Sequence, residues 1–165
     1  MSPERASVRI AYAATVWWVA FASLSFYWAA GGTVGLATLG EGIRSLAAER
    51  DSWFVATVAA TGVLKLVPAA LALSLVRSWG DRVSLRWRLA AVGGLGVLSA
   101  LYGGIGIATK LLVLVGVIAP DGIDPQGFWG HLLLWDPVWV IGGALLCAAA
   151  FSSRTSARSE SRFTP

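Results

Sequence analysis

Residues 89–119 read LAAVGGLGVLSALYGGIGIATKLLVLVGVIA, and their one charge is Lys110. A helix of about 20 residues, rising 1.5 Å each, crosses the ~30 Å hydrocarbon core of a bilayer. This run exceeds that need, so it is expected to tilt or to project beyond the bilayer. Three further apolar runs accompany it, at about 10–30, 53–76 and 132–151. The last is the shortest, and Asp136-Pro137 interrupts it. The first could be a signal peptide, since Arg5 and Arg9 precede it. Its apolar stretch exceeds the usual h-region and ends Tyr27-Trp28-Ala29-Ala30 without an A-x-A site, which favours an uncleaved span.

Composition agrees. The 165 residues are 56% hydrophobic and only 13% charged, about half the charge of an ordinary soluble domain. The expected fold is all-α: an integral membrane four-helix bundle, antiparallel, spanning 10–151 as one domain. Residues 1–9 are expected as a cytoplasmic N-terminus and 152–165, rich in Ser and Arg, as a disordered cytoplasmic tail. Arginine in excess of lysine, with abundant Ala and Gly, points to a bacterial source and hence to the plasma (inner) membrane.

Orientation follows from the arginines. Arg77, Arg82, Arg86 and Arg88 fill the connection between the second and third runs; Arg154, Arg158 and Arg162 follow the fourth. In the first connection Arg44 and Arg50 are offset by Glu41, Glu49 and Asp51, and the third holds Asp121 and Asp124 with no basic residue. The positive-inside rule therefore puts both termini in the cytoplasm. Trp28, Trp53 and Trp129 then mark the outer interface, and Trp79 and Trp87 the inner one. Arginines at span ends explain the net charge of +4 as topology, so no nucleic-acid partner is expected. The first connection opens with the glycines 31, 32 and 35. It then carries Ile43, Leu46, Ala47, Trp53 and Phe54 at spacings that predict a short extracytoplasmic amphipathic helix over 43–54.

Gly96, Ala100, Gly104 and Ala108 recur every four residues, a pattern that lets membrane helices approach closely. Gly142, Gly143, Ala144 and Ala148 add a second small-residue patch. The first span is aromatic. Trp17, Phe21 and Trp28 fall near one face, expected to meet lipid or, on a sharper reading, to wall a flat apolar ligand.

Lys65 and Lys110 are the only lysines, and Asp136 is the one acid inside an apolar run. A charge at bilayer depth costs at least ~2.5–3.5 kcal/mol, so such residues are read as functional until shown otherwise. By helix rise Asp136, Lys110 and Lys65 lie roughly 7, 14 and 18 Å below the outer surface, within reach of a shared site. His131, Tyr27, Trp28 and Trp135 are the candidates to surround it. Two plainer readings stand beside this one. Asp136 before Pro137 fits an N-cap with proline at the first helical position, which does not exclude a lysine partner. Lys110 could also snorkel outward.

Four strings occur together: Phe26-Tyr27-Trp28-Ala29-Ala30-Gly31-Gly32-Thr33, Lys65-Leu66-Val67-Pro68-Ala69, Leu101-Tyr102-Gly103-Gly104 and His131-Leu132-Leu133-Leu134-Trp135-Asp136-Pro137-Val138-Trp139. With its WAxGG and LWDP elements, the chain resembles an uncharacterised family of small bacterial four-helix membrane proteins, a domain of unknown function, over about residues 8–151. The resemblance implies a fold and carries no catalytic residue.

One cysteine, Cys147, and one histidine, His131, leave no disulfide, no CxxC motif and no bis-histidine haem or His-rich metal site within one chain, so no metal or cofactor is implied. No nucleophile–base–orienter set is visible, which points away from an enzyme. Two functions remain. The first is binding or moving a small lipid-like or anionic solute, or a proton, at an outward-facing Lys/Asp site. The second is a non-catalytic accessory or structural subunit. Expected partners are the lipid bilayer, a small-molecule ligand, and another membrane protein or a second copy of the chain.

Overall fold

The computed structural model describes residues 3–160, with side chains over 4–156. Helix α1 covers Pro3–Ala29, α2 Glu41–Glu49, α3 Ser52–Ser74, α4 Leu85–Leu114, α5 Pro125–Gly130 and α6 Asp136–Glu160. One-turn 3-10 helices, Leu36–Leu39 and Ser78–Arg82, fill two connections, and a π-helical turn, His131–Trp135, joins α5 to α6. No strand occurs among the described residues. Four helices, counting the α5–α6 run as one, are long and apolar enough to cross a membrane.

The helices stop where their chemistry demands. At the end of α1 Gly31 adopts φ +104°, and the N–H groups of Gly32 and Gly31 bond back to Tyr27 O and Trp28 O. At the end of α4 Gly116 adopts φ +75°, and Val117 and Gly116 donate to Leu112 O and Val113 O. Both are left-handed glycine caps, which satisfy carbonyls that would otherwise face an apolar medium. So α4 ends at Leu114 rather than running to 119. The Arg50 guanidinium donates to Ala29 O at 3.1 Å, placing a cation at the negative end of the α1 dipole.

Packing is antiparallel throughout. Thr15 lies beside Ala69 and Ser25 beside Lys65 across α1 and α3. Trp17 meets Val138 and Trp18 meets Gly142 across α1 and α6. Gly96 lies against Gly143 and Cys147 across α4 and α6. Around the bundle the order is α3, α1, α6, α4. Helices α3 and α4 touch little although a short connection joins them, and a seam opens there. The second span therefore packs on the first and the third on the fourth, which separates Lys65 from the site it was expected to share with Lys110 and Asp136.

Four further readings differ. The small-residue stripe does not continue through Gly104, where an added Cβ would meet nothing within 4 Å, and Ala108 is exposed. Each step of four residues overshoots a 3.6-residue turn, so a strict four-residue series leaves the contact face. The true face runs through Gly96, Ser99, Gly103, Gly106 and Lys110. The aromatic face of α1 turns inward: Trp18 is 1% exposed, and its ring and that of Phe21 meet Trp139 edge-on. The segment beyond Ser152 continues as helix to Glu160; residues 161–165 lie outside the described residues. The amphipathic helix is present as α2, while Trp53 and Phe54 belong to α3.

An added Cβ at Gly96 would lie 2.8 Å from Cys147 Sγ and 2.9 Å from Gly143 O. Gly96→Leu should therefore destabilise the bundle in detergent by at least ~1–3 kcal/mol through overpacking. Gly104→Leu should melt within a degree or two of the parent. Equal melting of the two variants would contradict this register.

Candidate functional site

Asp136 is 4% exposed and sits against α4. Its seat is made by missing side chains. A Cβ on Gly106 would lie 2.7 Å from the Asp136 Cγ, and one on Gly103 would collide with the Asp136 carbonyl oxygen. One turn beyond Gly106, Lys110 donates from Nζ to Asp136 Oδ2 at 2.8 Å and to Gly106 O at 3.3 Å. His131 Nδ1 stands 3.5 Å from Asp136 Oδ1. In an α-helix two residues five apart point about 140° from each other. The π-helical turn, in which Asp136 N–H donates to His131 O, brings them to one face. Pro137 supplies a cause: it has no N–H for the Leu133 carbonyl, and its ring would crowd that group in a regular helix.

Asp136 is therefore a lysine partner and not a helix cap; its backbone is helical on both sides. The capping role falls to Asp124, also before a proline. Its carboxylate accepts from the N–H groups of Gln126 and Gly127, and from that of Glu41, which ties α2 to α5. Lys110 does not snorkel into solvent; its side chain is 19% exposed.

Lys65 has different company. Its Nζ donates to Ser25 Oγ at 2.8 Å and lies 3.8 Å from the centre of the Phe21 ring, a hydroxyl and a cation–π contact. Among the described residues no acidic side chain pairs with it. It lines a cavity of about 340 Å³ in the α3–α4 seam, whose walls include Trp18, Leu64, Pro68, Ser99 and Trp139. Leu64, at the rim, is 68% exposed.

The remaining candidates hold the first connection. The N–H of Val34 donates to Tyr27 Oη, and Trp28 Nε1 donates to Val34 O. Trp135 Nε1 donates to both Thr38 O and Thr38 Oγ1, and its ring meets Trp28 at 5.4 Å. So the structure joins Lys110, Asp136 and His131 in one cluster, sets Lys65 in another, and gives Tyr27, Trp28 and Trp135 to loop anchoring. Ser25, Trp139 and Gly106 were not among the sequence candidates, and Phe21 was named only as part of a possible aromatic wall. Ser25 was readable as a polar residue in an aromatic span; the role of Gly106 shows only once the helices are paired. Among the described residues no group of three or more His, Cys, Asp or Glu side chains could hold a metal ion.

The fold and site thus define a small four-helix bundle of membrane type, with one internally paired lysine and one lysine left at an apolar cavity. Residues 18–146 match the family model described as "Protein of unknown function (DUF3995)", and the chain belongs to that family. No curated protein and no solved structure matches it.

Removing one partner of a buried pair strands the other charge. Asp136→Asn should lower stability in detergent by about 3–5 kcal/mol, and adding Lys110→Met should recover much of it. His131→Ala, which alters only the longer and more exposed contact, should cost less than about 1 kcal/mol. Additive losses for the Asp136 and Lys110 changes would show that the pair contributes nothing.

Proposed function

We propose that the protein binds a lipid-like anion, an amphiphile with an acidic head, in the cavity at Lys65. The observation that carries this reading is the unmatched charge: a lysine near the middle of α3 faces an apolar cavity with only a hydroxyl and a ring as partners. Those neutral groups offset part of the cost of burying the amine, and an incoming carboxylate or phosphate would add a charge-assisted hydrogen bond. Trp18 and Trp139 give the apolar part of such a ligand flat surfaces to pack on. The seam gives it a route from the bilayer, so it need not pass through water.

The setting proposed is the bacterial plasma membrane, with both termini in the cytoplasm. The arginine-rich connection 77–88 and the C-terminal arginines support that orientation. A second reading, an accessory or structural subunit, is favoured by the Lys110–Asp136 pair. That pair is satisfied within the protein and joins α4 to α6, as a purely structural contact would.

Two experiments test this. In detergent, oleate should raise the melting temperature of the protein and oleyl alcohol should not. Lys65→Met should weaken oleate binding by about tenfold, roughly one charged contact, while Lys65→Arg retains most of it. Unchanged oleate binding by Lys65→Met would reject the site. For orientation, cysteines placed at Ser84 and at Ser156 in a Cys147→Ala background should be labelled from the cytoplasmic side, and one at Ser45 from the other. Labelling of positions 45 and 84 from one side would sink the topology.

A further inference from the structure

The α3–α4 seam holds a second and wider cavity, at the end of the bundle that carries the chain termini. It measures about 700 Å³ and shares the Val67 wall with the cavity at Lys65. Its lining changes in character along its length. Val67, Ala70, Leu71 and Ala91 make the inner part apolar; Trp79 and Trp87 follow; Arg82 and Arg88 complete it. Trp79 and Trp87 are 46% and 62% exposed, as indoles at a membrane–water boundary are.

The cup is held by its own floor. Gly80 is buried flush against the Ser74 carbonyl, where a side chain would not fit. Arg88 donates to Ser74 O and, at 3.1 Å, to Asp81 Oδ1, which fastens the 3-10 turn to both helices. The Arg88 Nε is buried and finds no acceptor in the protein. Arg82 is exposed and has no acidic partner among the described residues. The connection 77–88 carries four arginines against the single carboxylate of Asp81. The cup therefore has excess positive charge, an unused buried donor and an apolar interior that continues along the seam.

We propose that this cup is a binding site for an anionic glycerophospholipid. Its phosphate-bearing head meets Arg82 and the Arg88 guanidinium, its glycerol backbone lies between Trp79 and Trp87, and an acyl chain runs along Val67, Ala70 and Leu71. A free inorganic anion would leave the apolar lining unused. A zwitterionic lipid would answer the excess charge less well. The site is separate from the one at Lys65 and stands whether or not that cavity binds an acid. In this site Arg88 acts as a positioning residue for the turn as well as a donor, so the test rests on Arg82.

The full-length protein, purified in detergent and mixed with equimolar phosphatidylglycerol and phosphatidylethanolamine, is examined by native mass spectrometry for retained lipid. The parent should retain phosphatidylglycerol in preference. Arg82→Gln should lower that preference by about fivefold, the effect of one basic residue near a lipid head group. Arg82→Lys should keep most of it. Arg44→Gln, at the opposite end of the bundle, should leave it unchanged. Trp87→Ala serves as a second variant, because its exposed ring can be removed without touching the core; it should reduce retention of both lipids. Equal retention of the two lipids by the parent would overturn the proposal, as would an equal fall with Arg44→Gln. A melting shift from inorganic phosphate alone, as large as that from phosphatidylglycerol, would overturn it in favour of a free-anion site.

Discussion

Asp136 can be buried against α4 only because α4 presents no side chain at Gly103 and Gly106. With those glycines the carboxylate reaches Lys110 at 2.8 Å while the backbones approach closely. Much of the remaining arrangement depends on this seat. It draws α4 onto α6 along a face of Gly96, Ala100 and Gly143. Helix α6 also packs on α1, and α1 on α3, so α3 and α4 are left as the outer members of the row. The seam between them, and both cavities in it, are consequences of which helices have the small residues.

Indole donors do a related job along the other contacts. Trp17 and Trp18 on α1 donate to Val138 O and Gly142 O on α6; Trp28 and Trp135 donate to carbonyls of the first connection. An indole has one N–H and a large apolar body, so it joins two elements with a hydrogen bond and fills the space between them. In an apolar surrounding an unmet N–H is costly, which fixes the rotamer and hence the packing. This explains why an aromatic α1 faces the core. Trp17, Trp18 and Trp28 each find a carbonyl acceptor inside the protein, and lipid tails provide none.

The spans, their alternation and the meeting of Lys110 with Asp136 were legible because each rests on a local property. Length and hydropathy mark a span, and two opposite charges within side-chain reach in consecutive spans have few other partners. Helix adjacency was not legible in the same way. Short connections make antiparallel neighbours plausible for every consecutive pair, yet α3 and α4 stand apart, with α3 packed on α1 and α4 on α6. The π-helical turn was hidden for a different reason: Asp136-Pro137 reads equally well as a cap, and only the helical run from Pro125 onward decides between them. The i+4 stripe misled through arithmetic, since the observed face alternates steps of three and four and so stays aligned with a 3.6-residue turn. Past Ser152 the chain is helical to Glu160, and the hydroxyls of Ser152 and Thr155 donate to Ala149 O and Ser152 O.

The two lysines set the contrast on which the functional reading turns. Both sit in long apolar helices and carry the same formal charge. Lys110 meets a carboxylate whose place is prepared by two glycines, so its charge is balanced inside the protein and asks for nothing further. Lys65 meets Ser25 and Phe21, neither of which carries charge. Were Lys65 only a packing residue, an apolar side chain of similar length would fill the same space at lower cost, because a buried cation without a counter-ion is worse than none. A cavity beside that amine, walled by Trp18 and Trp139, is what an external counter-ion with an apolar body would require. The amine without a charged partner and the apolar cavity occur at one place, which is the ground for the amphiphilic anion proposed above.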